Sequence, residues 1–400
     1  MWDAYSWSRL QGPVQDMKDW HLGRRYIIVD SIIPPTRVDI NAYSRQVLLR
    51  PMTFLKGEML QRIIDNDYSL TALVVRIETD AEAMILGNAL SENYMLHTLN
   101  FRYSILSGDR ARLLLSSIPP NIEKVTLCNC EIDSQGTEHL ARLSRKCCIR
   151  FLDLRHNDIG DEGARILSAA MKQKSCALKS LILGNCMIGD AGAQYLSQGL
   201  RMRGLQELDL RGNQIGDRGA WALSRALTLG IDLERLDLRD NKIGDAGADS
   251  LALAIAYYHT CYTLSDLNLS LNRIGDAGAQ KLAVALKVNS TLEDLNLAGN
   301  SIGDDGAQAL AAALEYNRTL CRMNLSQNTA SKEIRVSVAK ALQDNRTKGS
   351  HEIQGSNHGF IGIGGRGRNA SRRGTRYSKS RSKERPLGLF ESLRYAVSCG

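Results

Sequence analysis

On length alone, 400 residues suggest two or three domains. The chain is 43% hydrophobic, ordinary for a soluble protein, and carries 51 Lys/Arg against 43 Asp/Glu, a net charge of +8. The excess is local: residues 347–400 hold eleven Lys/Arg and three Asp/Glu, while the first 346 residues balance at 40 of each, which removes any electrostatic reason for the body to bind nucleic acid.

The opening "MWDAYSWSRLQGP" lacks a basic start followed by an apolar stretch, so no secretory signal is expected there. No run of about 18 apolar residues marks a membrane span. Residues 1–69 show no repeat. They hold Trp2, Trp7, Trp20 and the pair Pro34–Pro35, and this aromatic content predicts a small folded cap rather than disorder. Nine cysteines, odd in number and irregularly spaced, fit a reducing environment. A cytoplasmic protein is expected, with a nuclear location open; a secreted effector of a pathogen or an axonemal scaffold would look the same in sequence.

From residue 70 a repeat sets in. "LTALVVRIE" (Leu70–Glu78) and "LHTLNFRYS" (Leu96–Ser104) are 26 residues apart and read as divergent first units. From Ile122 the units are clear. One column holds Cys130, Asn157, Cys186, Asn213, Asn241, Asn272, Asn300 and Asn328, at spacings of 27, 29, 27, 28, 31, 28 and 28. In "LQELDLRGNQIGD", Leu205, Leu208 and Leu210 mark a short strand whose leucines alternate inward. Asn213 ends the strand with an amide that bonds backbone groups left unpaired by the bend. Cys130 and Cys186 put a thiol in the same buried place. Ile215 fills the core, Gly216 turns the chain, Asp217 is expected to cap its own helix, and Gly219 and Ala220 let that helix pack closely. Leu223 and Leu227 form its buried stripe. Gly212, Gln214 and Arg218 are left free to vary.

Each unit is therefore strand, turn, helix. Stacked units predict an α/β solenoid, a right-handed horseshoe with parallel strands on the concave face and helices on the convex face. The 27–29-residue unit, the Asn/Cys column and the "IGDxGAxxLxxAL" helix opening resemble the ribonuclease-inhibitor-like class of leucine-rich repeats, to which the repeat region of NOD-like receptors also belongs. The resemblance covers residues 122–346, within an expected repeat domain at 70–346. The last unit loses its Gly-Asp, as a terminal unit facing water is expected to do.

Inner-face side chains come from the strand positions between the leucines. One column runs Thr126, Asp153, Ile182, Asp209, Asp237, Asn268, Asn296, Asn324. The next runs Cys128, Arg155, Gly184, Arg211, Arg239, Ser270, Ala298, Ser326. Asp153, Arg155, Asp209, Arg211, Asp237 and Arg239, with Arg235 beside them, are candidate partner-binding residues; equally, such Asp and Arg can satisfy one another on a solvated face. The 31-residue spacing puts an insertion near "AYYHTCY" (Ala256–Tyr262), where Tyr257, Tyr258 and Tyr262 are candidate aromatic anchors or an edge cover for the core.

No catalytic, cofactor-binding or metal residue is expected. "GIGGRG" (Gly362–Gly367) matches a dinucleotide fingerprint but has no helix after it. No G-x-x-x-x-G-K-[ST] exists, so the nucleotide-binding domain of a complete NOD-like receptor is absent. Cys128, Cys130, Cys147 and Cys148 have poor zinc spacing. His139 and His156 lack a nucleophile partner, and the Gly-Asp elements lack the carboxylates of a calcium loop.

The tail, 347–400, is Gly/Ser/Arg-rich and expected to be disordered. Residues 366–385 suit a nuclear-import signal, nucleic acid or an anionic membrane. A short amphipathic segment with Leu389, Phe390, Leu393 and Val397 follows. The expected function is a non-enzymatic scaffold that holds a protein on the inner face and adjoining loops. Two alternatives are a regulator of a small GTPase, as in the GTPase-activating proteins for Ran that share this repeat class, and a nucleic-acid adaptor working through the tail. The Ran family ends in an acidic segment, and its Arg motif finds no match here, although Arg155, Arg211 or Arg239 could stand in its place.

Overall fold

A computed structural model describes residues 57–201, 204–256 and 263–355. The chain divides into two units, Met1–Gln354 and Gly355–Gly400, and the architecture below is that of the first. Helix α1 (Gly57–Ile64) precedes ten strand–helix pairs. These are β1 (Ala72–Val74) and α2 (Asp80–Ser91), β2 (Thr98–Asn100) and α3 (Asp109–Ser116), and β3 (Lys124–Thr126) and α4 (Ser134–Lys146). Then come β4 (Phe151–Asp153) and α5 (Gly160–Met171), β5 (Ser180–Ile182) and α6 (Asp190–Leu200), and β6 (Glu207–Asp209) and α7 (Asp217–Leu227). The last are β7 (Arg235–Asp237) and α8 (Asp245–Ala256), β8 (Asp266–Asn268) and α9 (Asp276–Leu286), β9 (Asp294–Asn296) and α10 (Asp304–Leu314), and β10 (Arg322–Asn324) and α11 (Lys332–Gly355). The strands form one parallel ten-stranded sheet in chain order. Its central register runs Leu73, Leu99, Val125, Leu152, Leu181, Leu208, Leu236, Leu267, Leu295, Met323. The first nine of these side chains are buried between sheet and helices in one continuous core. This is the expected α/β solenoid.

Both divergent units join the sheet, as β1 and β2. Ile63 of α1 lies in the same core, so packing is continuous across the expected cap boundary at residue 69. At the other end α11 runs through the expected boundary at 346 to Gly355. No proline interrupts that segment.

Two hydrogen-bonded ladders lock the units together. In the first, Asn213 Nδ2 donates to the carbonyls of Leu183 and Leu210, both at 2.8 Å, while its Oδ1 accepts from the N–H groups of Cys186 and Ile188, both at 3.0 Å. Asn157 repeats the pattern in full, and Asn241, Asn272, Asn300 and Asn328 repeat the donated bonds and accept from one N–H each, all reaching back into the preceding unit. Cys130 and Cys186 make a thinner rung: each thiol donates to a carbonyl of the preceding unit, Phe101 at 2.8 Å and Leu154 at 3.2 Å. These units have a different turn, in which the Cys carbonyl accepts from Leu106 or Gly160 N–H and the next residue, Glu131 or Met187, is left-handed. Burial pushes the Cys186 thiol up to about 12 and raises Cys130 as well. In the native protein a maleimide should therefore modify the exposed Cys148 rapidly and spare Cys130 and Cys186 until unfolding, as peptide mapping by mass spectrometry would show. Native modification of Cys186 at the rate of Cys148 would contradict this.

The second ladder corrects an expectation. Asp217 does not cap its own helix. The N-cap of α7 is Gly216, which has no side chain to do so, and Asp217 is the first helical residue. Its carboxylate reaches forward instead, accepting from Gly244 N–H at 2.7 Å and Gly247 N–H at 2.9 Å at the start of α8. Asp161, Asp190, Asp245 and Asp276 each serve the next helix in the same way. The negative carboxylate meets the positive end of a helix dipole, but across the unit boundary.

A third regularity corrects the freedom given to Gly212. The residue before each Asn or Cys of the column is left-handed: Tyr103 precedes the loop of β2, then Asn129, His156, Asn185, Gly212, Asp240, Leu271, Gly299 and Gln327 follow. At Gly212, φ is +65°, and a Cβ would run into the Asn185 amide. That position accepts few residues at low cost.

Candidate interaction surface

The helices cover one side of the sheet, and the solvent side presents three residues per unit: the first and third of each strand and the residue two further on. The middle row is mainly architectural. Asn100, Asp153, Asp209, Asp237, Asn268, Asn296 and Asn324 each accept, through Oδ1, the N–H two residues ahead, at 2.9–3.2 Å. These Asx turns close the strand ends. The preference for Asp or Asn in this row has a backbone cause before any partner is considered.

Among the candidate residues, Asp153 and Asp209 are 1% and 2% exposed. Arg155 lies over Asp153, with Nε at 3.0 Å from Oδ1 and Nη2 at 2.8 Å from Oδ2. Arg211 does the same for Asp209, its Nε at 2.7 Å from Oδ2, and extends to Asp237 at 3.8 Å. The pairs are thus formed along each strand. Gly184 sits between the two arginines, and a Cβ there would press on their stems, 2.9 Å from Arg211 Cγ and 3.3 Å from Arg155 Cγ. Asp237 is raised by burial and by neighbouring Asp209. Arg239 is exposed, and no ion pair to its guanidinium is found among the described residues. Arg235 is half exposed and 3.5 Å from Glu207, which also accepts from Ser180 Oγ at 2.7 Å. Tyr257, Tyr258 and Tyr262 lie outside the described residues, as does the tail from residue 356 with "GIGGRG", its basic run and the amphipathic segment.

Two side chains absent from the candidate set belong to this surface. Arg76 and Arg102 continue the Arg155 row toward β1. Stepping back 26 residues from Cys128 lands on Arg102, and another 26 on Arg76, so the period already held the signal. Arg76 Nη2 pairs with Glu78 at 2.8 Å, while its Nε and Nη1 are buried without a hydrogen-bond partner. Lys124 stands 4.4 Å over the Phe151 ring.

Farther along, Asp294 is bound by Arg322 at 2.6 Å. Asp266 is raised by burial and by Asp294 beside it. Past β10 the last unit leaves a hollow of about 430 Å³ between strand and α11, lined by Met323, Leu325, Val336, Val338 and Leu342. Among the described residues no cluster of His, Cys, Asp and Glu has metal-binding geometry, and no helix is long and apolar enough to cross a membrane.

The sequence matches the family described as "Leucine Rich repeat" over residues 145–168, 174–197, 203–224, 232–252, 260–283 and 288–311. The sheet extends beyond these segments, by β1–β3 on one side and β10 on the other. No curated protein matches the chain. Among solved structures it is similar to leiomodin-1 actin-binding site 2, at 22% identity and a TM-score of 0.30, over 34% of this chain and 78% of that one. It is also similar to an internalin from Listeria monocytogenes str. 4b F2365, at 17% identity and a TM-score of 0.41, over 70% of this chain and 87% of that one.

Proposed function

This chain is a leucine-rich-repeat protein, and on that premise we propose that it is a non-enzymatic scaffold holding a protein partner on the solvent side of its sheet and the adjoining loops. One observation carries the reading. Ten strands about 4.8 Å apart make a continuous surface roughly 43 Å long, and on its other side helix residues share one core with the strand leucines. Its architectural carboxylates are covered, whereas Arg102, Arg235, Arg239 and Arg322 are exposed. Arginine is enriched among the residues that dominate protein interfaces.

A GTPase-activating role finds less support. It needs an arginine that can reach a phosphate, and of its three candidates Arg155 and Arg211 are each bound to a carboxylate of their own unit, which leaves Arg239 alone. A nucleic-acid role would rest on the tail.

Arg235→Glu with Arg239→Glu is expected to lower recovery of the partner by about tenfold in affinity capture with the full chain, and to leave thermal stability nearly unchanged because both side chains are exposed. Undiminished recovery of every captured protein, both here and after Arg102→Glu with Lys124→Glu, would remove the proposal.

A further inference from the structure

We infer that the partner presents an acidic, extended peptide segment to the first five strands, where Arg76 and Arg102, with Lys124 beside them, grip its carboxylates. This rests on the scaffold reading and adds the partner's chemistry to it. In the row two residues past β1–β5 stand Arg76, Arg102, Cys128, Arg155 and Gly184. With Lys124 the five strands present four cations, against Asp153 on the same face and Glu78 at its edge. The later strands lack this excess: Arg211, Arg235, Arg239 and Arg322 face Glu207, Asp209, Asp237, Asp266 and Asp294.

The carboxylates present leave donors over. Both oxygens of Asp153 are taken by Arg155, so Arg102, at 3.9 Å from Oδ2, holds a loose second place. The Arg102 side chain is 44% exposed. At Arg76, Glu78 satisfies one nitrogen and leaves two buried nitrogens without acceptors. A buried donor without an acceptor carries a standing penalty, which a carboxylate reached by a turn of this partly exposed side chain would relieve. Cys128 and Gly184 keep the floor between the arginines low. Burial, then nearby Asp153, pushes the Cys128 thiol up, so it stays neutral and does not repel an acid.

Spacing selects a peptide. Arg76, Arg102 and Lys124 belong to the successive strands β1, β2 and β3, so neighbours are about 5 Å apart in the sheet direction and the outer two about 10 Å. An extended chain advances about 3.3 Å per residue, so acidic side chains two and three residues apart meet this row as the segment crosses the strands. Guanidinium forks match carboxylates in pairs. A nucleic acid would need a larger cationic excess than a face that also carries Asp153 and Asp209.

The test uses the full chain and fluorescence anisotropy with three labelled probes: an Asp/Glu decapeptide, its Asn/Gln counterpart and a single-stranded DNA of similar length. The acidic peptide is expected to bind and the Asn/Gln peptide to fail. Arg102→Glu with Lys124→Glu should weaken binding about tenfold or more, while Lys281→Glu on helix α9, an exposed position away from the sheet face, leaves it unchanged. Binding that survives Arg102→Glu/Lys124→Glu within about twofold belongs to another cationic segment and overturns the inference. So does an absence of binding up to about 1 mM, equal binding of the Asn/Gln peptide, or DNA binding more tightly through Arg102. Circular dichroism of each variant confirms that it is folded. Affinity capture separates the two proposals. A partner lost by Arg235→Glu/Arg239→Glu but kept by Arg102→Glu/Lys124→Glu ends this inference alone; one kept by both ends the scaffold reading too.

Discussion

Asn213→Ala is expected to cost about 4 kcal/mol of unfolding free energy. The side chain is 7% exposed and makes four strong bonds, two donated to the carbonyls of Leu183 and Leu210 and two accepted from the N–H groups of Cys186 and Ile188. Alanine satisfies none of them. Each buried group left unpaired costs about 1–3 kcal/mol, and partial entry of water into the space of the lost amide returns some of that. Because the bonds cross from one unit to the next, the loss falls on the interface that makes a solenoid cooperative. Two comparisons fix the mechanism. Asn213→Cys should cost about half as much, since Cys186 shows that a thiol can still donate to a carbonyl of the preceding unit but accepts nothing. Asn328→Ala should cost about 1 kcal/mol, because Asn328 lies in the last unit, where its bonds are only partly buried and water can replace them. Urea unfolding followed by circular dichroism measures all three, and hydrogen exchange at Cys186 and Ile188 locates the loss. Equal costs for Asn213→Ala and Asn328→Ala would reject the ladder as the cause.

The Asn ladder was legible in sequence because its partners lie in the preceding unit at a fixed period, and a column of amides in register has few other uses. The Asp ladder was not. Read within one unit, a carboxylate between Gly216 and α7 looks like the cap of α7. The donors its carboxylate meets are the N–H groups of Gly244 and Gly247, 27 and 30 residues ahead, and only the stacking of units brings them near. The same local view left Gly212 unconstrained, although the row of left-handed residues and the Asn185 side chain in the neighbouring unit confine it. On the sheet face, the pattern correctly placed the Asp and Arg columns but not their depth. Asp153 and Asp209 are buried because the arginine two residues on folds back over each of them, and that is a rotamer choice no periodicity records. Arg76 and Arg102 were overlooked because their units lack the Asn and Gly-Asp letters that set the register, although the period itself reached them. The charge that a partner meets is therefore set mainly by arginines, while the carboxylates between them hold the strand ends.

Gly247→Ala is expected to destabilise by about 3 kcal/mol, opposite in sign to the usual helix rule. Inside a helix, Gly to Ala normally stabilises by about 1 kcal/mol through backbone entropy. Gly247 is the third residue of α8, and a Cβ there would stand 2.7 Å from Asp217 Oδ1, 2.7 Å from Ile243 Cγ2 and 3.1 Å from Ala220 Cβ. None of the three can yield cheaply. Asp217 is held by the two N–H groups it caps, and Ile243 and Ala220 are fully buried. The helix must back away, which stretches the cap and opens the packing of α7 on α8; overpacking of this kind costs about 1–3 kcal/mol before the lost cap is added. Gly57→Ala supplies the control, since nothing lies within 4 Å of a Cβ at that helix position, and its effect should stay within about 0.5 kcal/mol. Asp217→Ala alone should cost about 2 kcal/mol for two charge-assisted bonds at a partly solvated site. Combined with Gly247→Ala, it removes one of the three colliding atoms, so the double variant should be less damaged than the sum of the singles by about 1 kcal/mol. Strict additivity would mean that the carboxylate and the glycine act independently, and the Gly-Asp signature would then have no joint cause in the seam between units.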